Sequence, residues 1–144
     1  MQTSLTRTIR FEAAHRYWKP EWSEAQNRKR FGPAANEHSH EYTCAITVQG
    51  SADPDTGMLV DLSLLDQILD AEVLRRFKGR ALHREVAEFR EGGNLPTCEA
   101  IARDVFTRVA GRLPPGVLLE AVRIAEDETL SAECRRDTSA APPR

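Results

Sequence analysis

The chain predicts an α+β fold in which an antiparallel sheet carries two helices on one face. Three observations lead there. Leu5, Arg7, Ile9, Phe11, Ala13 and His15 occupy every second position, and so do His38, His40, Tyr42, Cys44, Ile46 and Val48. Residues two apart on a strand share a face, so each set marks a long strand. Between these runs and a later apolar stretch, Val117 to Asp127, lie two segments with helical periodicity. Strands first, helices in the middle and strands last is the order of a two-layer α+β domain.

The elements follow in order. The first strand runs from about Ser4 to Tyr17. A polar loop with scattered aromatics comes next, in which Ser23 caps a short helix through Arg30. The second strand spans His38 to Gly50. D-P-D-T-G is a turn, and M-L-V-D-L reads as a third strand ending at Asp61. Asp61 or Ser63 caps a helix with Leu65, Ile68, Leu69, Glu72, Val73 and Arg76 on one side, a mostly apolar stripe. Lys78 to Leu95 reads as loop, broken by Gly92-Gly93. Thr97 caps a second main helix with Ile101, Val105 and Val109 inward, stopped by Gly111 and Pro114-Pro115. Val117 to Asp127 is a further strand, and Leu130 to Arg135 adds a short last piece. Residues 1–136 read as one domain and 137–144, which include the small, proline-containing T-S-A-A-P-P-R, as a flexible tail.

Composition narrows the class. A chain of 144 residues fits one domain with a real core. A formal charge of −2 argues against a nucleic-acid footprint, which needs a basic face. No apolar run reaches the eighteen or so residues of a membrane span, and no signal-peptide core opens the chain. Cys44, Cys98 and Cys134 are odd in number and form no C-x-x-C pair, which fits reduced thiols in a cytoplasm.

The histidines carry the chemistry. His38 and His40 share a strand face, and an adjacent strand can bring His15 to them. Three neutral imidazoles suit zinc and leave its fourth tetrahedral position open, as catalytic sites do. H-x-H alone is a weak motif, and solvated strand histidines are its ordinary alternative.

Several segments together are more specific. F-E-A-A-H-R-Y, N-R-K-R-F-G, H-S-H-E-Y, D-P-D-T-G-M-L-V-D-L, L-P-T-C-E-A-I-A and V-R-I-A-E-D occur in order over about residues 5–128. They resemble the successive signatures of the 6-pyruvoyltetrahydropterin synthase and 6-carboxytetrahydropterin synthase family. The resemblance implies the tunnelling fold, a four-stranded antiparallel sheet with two helices, closing into an inter-subunit barrel that is commonly hexameric, with active sites between subunits. It implies zinc at His15, His38 and His40, and a pterin ring anchored by Glu126. A carboxylate can accept two parallel hydrogen bonds from the ring's amino-pyrimidinone edge. It also puts Thr97 and Glu99 near the pterin pocket, although a helix cap explains Thr97 and the helix macrodipole suits Glu99.

The departures bear on activity. The resemblance implies a lyase reaction on dihydroneopterin triphosphate, in which a cysteine after F-G-x and an Asp-His pair move protons. Here the cysteine position reads F-G-P-A, so Ala34 stands where the thiol belongs, and a methyl group cannot titrate. Matching L-D-H puts either Phe77-Lys78-Gly79 or Ala81-Leu82-His83 in its place, and neither supplies the aspartate. The candidate proton-transfer groups are then His83, which reads as a surface-loop histidine, and Glu37. The odd number of Glu37 points it away from His38 and His40 unless a bulge re-aims it. Cys44 shares the histidines' face but lies about 13 Å beyond His40 at strand rise, and reads as a core residue. Cys98 opens a helix whose positive end can lower a thiol pKa, against burial, which raises it. The expectation is a zinc- and pterin-binding homologue that runs the standard reaction poorly. The alternatives are an enzyme with relocated proton-transfer residues, or a non-catalytic pterin-binding protein.

Overall fold

A computed structural model describes residues 1–137. The expected tail lies outside the described residues from 138 onward. Four antiparallel strands form one sheet in chain order: β1 (Thr3–His15), β2 (His38–Gly50), β3 (Leu118–Ala125) and β4 (Ser131–Arg135). β1 and β2 pair over their whole length, from Thr3 opposite Gly50 to His15 opposite His38. This register sets the two histidine runs side by side at one end of the sheet.

The α+β architecture is the expected one, but its third strand is not. M-L-V-D-L forms no strand. β2 is flanked by β1 and β3, so no edge remains beside it for this segment to pair with. The segment instead closes the Asp53 turn, where Asp53 Oδ1 accepts from the amides of Asp55 and Thr56 at 2.7 and 3.2 Å. Gly57, at φ 75°, takes the left-handed position that an L side chain avoids. The short last piece is the true fourth strand. β1 also ends at His15, two residues before the expected Tyr17.

Three helices and several short helical turns complete the described residues. Helix α1 (Glu24–Phe31) starts at Ser23, whose hydroxyl accepts from the Gln26 amide while the Gln26 side chain accepts from the Ser23 amide, a reciprocal capping box. Helix α2 (Leu62–Leu69) is capped by Asp61 and runs on through a π-turn, Asp70–Leu74, to Phe77. Helix α3 (Cys98–Ala110) is capped by Thr97, whose hydroxyl accepts from the Ala100 amide at 3.1 Å. The segment expected to be plain loop folds into helical turns at Leu82–Glu85 and Ala87–Phe89 and buries Leu82, Val86 and Phe89. It also runs beside β1, where the Ala14 amide donates to the Arg80 carbonyl at 2.9 Å and the Gly79 amide to the Glu12 carbonyl at 2.7 Å.

The core lies between the sheet and the helices. Phe11, Tyr42, Cys44, Ile46 and Val48 from the sheet meet Leu65, Ile68, Leu69, Val73, Phe77, Ile101, Val105 and Val109. Phe11 stacks on Tyr42 with ring centroids 5.3 Å apart and meets Phe77 at 5.7 Å. Burying such side chains contributes roughly 1.5–3 kcal/mol each before conformational entropy is counted. The opposite sheet face is polar, and Thr6 and Thr47 share a hydrogen bond across it at 2.8 Å.

A charge network ties the helical layer together. Arg76 reaches Asp104 at 2.6 Å and Glu88 at 3.3 Å, and Arg108 pairs with Asp104 at 3.2 Å and with Glu88. Arg112 joins Glu72 at 3.2 Å. The network links the end of α2, the turn at Ala87–Phe89 and helix α3.

Candidate metal centre and ligand pocket

His15 closes β1, and His38 and His40 open β2 directly opposite, so the strand register alone brings the three rings together. Ring centroids lie 4.6 Å apart for His15 and His38, 5.1 Å for His15 and His40, and 4.9 Å for His38 and His40. Each histidine offers a ligand nitrogen within 4.8 Å of the other two.

Their hydrogen bonds prepare them for a metal. His15 Nδ1 donates to the Pro96 carbonyl at 2.8 Å, and His38 Nδ1 to the Asn36 carbonyl at 2.8 Å. A neutral ring that spends its N–H in this way keeps its Nε2 lone pair free, the usual outer-shell arrangement for metal-ligating histidines. His15 Nε2 and His40 Nε2 are buried and have no hydrogen-bond partner. Burial, the leading cause, lowers the His15 pKa to about 4, with His38 and His40 adding to the effect. His15 is therefore neutral near pH 7, the form that binds metal. The residues fit a zinc ion: three imidazoles, tautomers fixed at two of them, and unpartnered ring nitrogens at His15 and His40.

Glu126 enters the same space. It follows β3 and has the parity of Val122 and Ile124, which places it on the histidine face at the same end of the sheet. Its Oε2 lies 3.7 Å from His15 Nε2 and 3.6 Å from His40 Nε2, is buried, and has no hydrogen-bond partner. Tyr42 and Tyr17 border the centre. The Tyr42 hydroxyl is 3.0 Å from His15 Nδ1, and the Tyr17 ring meets His15 edge-on at 5.1 Å. Burial raises the pKa of both phenols, with Glu126 adding to the rise, so they are neutral hydrogen-bonding groups. Neither tyrosine was anticipated from the sequence as a site residue. Each was visible only by its place two residues beyond a histidine, Tyr42 after His40 and Tyr17 after His15.

The other candidates offer no free titrating group to the centre in this arrangement. Thr97 has its hydroxyl engaged as the α3 cap, and Glu99 is exposed in the first turn of that helix. Cys98 is buried, and its pKa is pushed up to about 11, so burial outweighs the helix end. Cys44 is buried in the core, with its thiol pushed up to about 12. Ala34 has no polar side-chain atom, and its carbonyl accepts from the Tyr17 amide at 2.9 Å.

His83 is not the surface residue that its loop setting suggests. It is 4% exposed, because the turn at Leu82–Glu85 packs inward, and its Nε2 lies 3.0 Å from Glu37 Oε1. Glu37 also meets Arg84 at 2.9 Å, which holds its carboxyl below the usual range. Burial lowers the His83 pKa against the opposing pull of Glu37. Its Nδ1 is buried without a hydrogen-bond partner. The two residues singled out separately as proton-transfer candidates are thus in direct contact.

An antiparallel sheet with helices on one face and three converged histidines at its end defines an α+β protein with a candidate metal centre. The model of one family, described as 6-pyruvoyl tetrahydropterin synthase, matches residues 4–137. A Drosophila melanogaster 6-pyruvoyl tetrahydrobiopterin synthase is 34% identical over 125 residues, covering 85% of this chain and 73% of that protein. The Homo sapiens protein of the same name is 30% identical over 129 residues, covering 88% and 87%. The solved structure of Caenorhabditis elegans 6-pyruvoyl tetrahydropterin synthase superposes with a TM-score of 0.85 at 27% identity, covering 95% of this chain and 97% of that one. The chain belongs to the 6-pyruvoyl tetrahydropterin synthase family.

Proposed function

We propose that this protein binds zinc through His15, His38 and His40 and a pterin-like ligand through Glu126, and that it is a poor catalyst of the lyase reaction on dihydroneopterin triphosphate. The observation that carries this reading is the convergence of His15, His38 and His40, with buried, unpartnered polar atoms of His15, His40 and Glu126 facing one another. Family membership makes a pterin the natural ligand. Zinc, when bound, would act as a Lewis acid toward oxygens of the ligand's side chain. The chain's own groups then hold the ring, exclude water and orient the imidazoles.

Poor turnover follows from the missing base. Positioned proton transfer is worth about 10²–10⁴-fold, and Ala34 offers none. Cys98 and Cys44, held as neutral thiols, do not replace it. The test sets product formation from dihydroneopterin triphosphate beside a binding titration of the same zinc-loaded sample. Binding with turnover far below about 1 s⁻¹ is expected. Ala34→Cys is expected to restore little, because groups that act as a unit are not additive.

The contact between His83 and Glu37 favours a second reading, an active enzyme with relocated proton transfer. Turnover near 1 s⁻¹ or faster in the same assay, lost in both His83→Ala and Glu37→Gln, would select it. Binding with no product under any condition selects a non-catalytic pterin-binding protein. The remaining expectations belong to the same proposal: a homo-oligomer of the family's barrel type, commonly hexameric, in a cytoplasmic setting, with no nucleic-acid or membrane partner. No helix among the described residues is long and apolar enough to cross a membrane.

A further inference from the structure

We infer that one buried water bridges Arg16 Nε and His83 Nδ1 in a small cavity beside the turn at residues 91–94, and that His83 carries its ring proton on Nε2. The site is independent of the zinc and pterin reading. Arg16, Trp18, His83, Phe89, Asn94 and Pro96 are among the residues lining the cavity, whose room for a water-sized sphere is about 10 Å³. That is the space of one water, which needs two or more polar partners to stay in a buried site. Two such partners stand ready. Arg16 Nε and His83 Nδ1 are both buried, and neither has a hydrogen-bond partner among the described residues.

One of these atoms is a donor and the other an acceptor. Arg16 Nε carries a hydrogen at every ordinary pH. Its guanidinium is held by an ion pair to Glu91 and by the Trp18 ring, whose centroid lies 4.7 Å from Arg16 Cζ. His83 Nε2 lies 3.0 Å from Glu37 Oε1. Glu37 is ion-paired with Arg84 at 2.9 Å, so it is a carboxylate and only accepts. A bare lone pair facing that carboxylate would be repelled, so the nitrogen beside it bears the ring proton. Burial lowers the His83 pKa and keeps the ring neutral near pH 7, which leaves Nδ1 a bare acceptor. A water that accepts from Arg16 Nε and donates to His83 Nδ1 satisfies both atoms at once.

The bridge makes Arg16 a positioning residue for His83. With Nε2–H turned to Glu37 and Nδ1 turned to the water, the ring is engaged at both nitrogens. Within the reading of relocated proton transfer, Glu37 is then the member of the pair that takes up a proton, and His83 the member that orients it. That division of roles rests on the second reading above, whereas the water site does not.

The experiment records long-range nitrogen-15 spectra of the histidine rings in the full chain at pH 7 with zinc present, using His83→Gln to assign the His83 signals. A crystal structure of the same chain accompanies it. His83 Nε2 is expected at the shift of a protonated ring nitrogen and Nδ1 at that of an unprotonated, hydrogen-bonded one. The crystal should show an ordered water about 2.7–3.2 Å from both Arg16 Nε and His83 Nδ1. Arg16→Lys keeps the charge but removes the Nε–H, so the His83 Nδ1 shift should move toward that of a free lone pair. A proton on Nδ1, a direct bond between Arg16 and His83, or no ordered atom between them overturns the inference. So does an Nδ1 shift that Arg16→Lys leaves unmoved, or a chloride between the two, identified by its anomalous scattering. None of these readouts depends on turnover or zinc affinity, so failure here and failure of the function proposed above are told apart.

Discussion

His15 is 1% exposed and couples the metal centre to stability. Its folded pKa of about 4 lies below its ordinary value of 6.5, so between these values the unfolded chain binds the proton that the native state refuses. A group of this kind contributes its full stability above about pH 6.5 and loses it as pH falls toward 4. At roughly 1.4 kcal/mol per pKa unit, the loss for the metal-free protein is on the order of 3 kcal/mol. Burial lowers the His83 pKa too, so that residue acts in the same direction. Urea unfolding of the metal-free chain at pH 7, 5.5 and 4.5 measures the effect, and an unfolding midpoint constant across that range contradicts it. Glu126 supports a prediction at the same scale. Glu126→Ala should weaken pterin binding by roughly 1.5–3 kcal/mol, the worth of hydrogen bonds to a charged group, as read by calorimetry with neopterin. A change under 0.5 kcal/mol would remove Glu126 from the pterin pocket.

Among the elements, those that reach the site were legible in the sequence to different degrees. The period of two along β1 and β2 is strict, so His15, His38 and His40 were readable as one face from residue numbers alone. The same parity holds from Val122 to Glu126. The M-L-V-D-L strand was misread because β propensity describes a segment, whereas pairing depends on which neighbours β2 already has. His83 was misread for a similar reason. Lys78, Gly79, Gly92 and Gly93 look like loop, yet Leu82, Val86 and Phe89 between them are core residues, and burying them carries His83 inward. No local signal announces that Glu37, 46 positions earlier, will meet it. Helix α3 supports its own prediction. Thr97→Ala removes the bond to the Ala100 amide and should cost about 1 kcal/mol of stability in denaturant unfolding. The cap adjoins Pro96, whose carbonyl orients His15, so the variant should also hold zinc more weakly. Unchanged zinc affinity would show that Pro96 keeps its place without the cap.

For the whole molecule, the sheet leaves two edges open. Among the described residues, Thr3 to Arg10 on β1 pair in the sheet only with β2, and β4 pairs only with β3. Exposed edges invite pairing with other chains unless they are covered. Closure into an inter-subunit barrel would satisfy both edges and turn the polar face with Thr6 and Thr47 toward an enclosed lumen. Sedimentation at micromolar concentration should show a homo-oligomer, and a monomer there contradicts the proposed assembly.

The arginine–carboxylate network sets how the molecule breathes. Arg76 and Arg108 both hold Glu88, which lies midway along the segment that carries His83 and Pro96. Both arginines also hold Asp104 on helix α3. The segment therefore cannot peel away alone, because releasing it means giving up charge pairs shared with two helices. Native proteins open in cooperative units, and this one joins the segment to the helical layer. Amide protons of Leu82 to Phe89 should exchange with solvent at the pace of the middle of α3, and Glu88→Gln should let them exchange ahead of it. The layout shields the three-histidine cluster, because the Pro96 carbonyl that orients His15 sits on a segment tied to the helical layer.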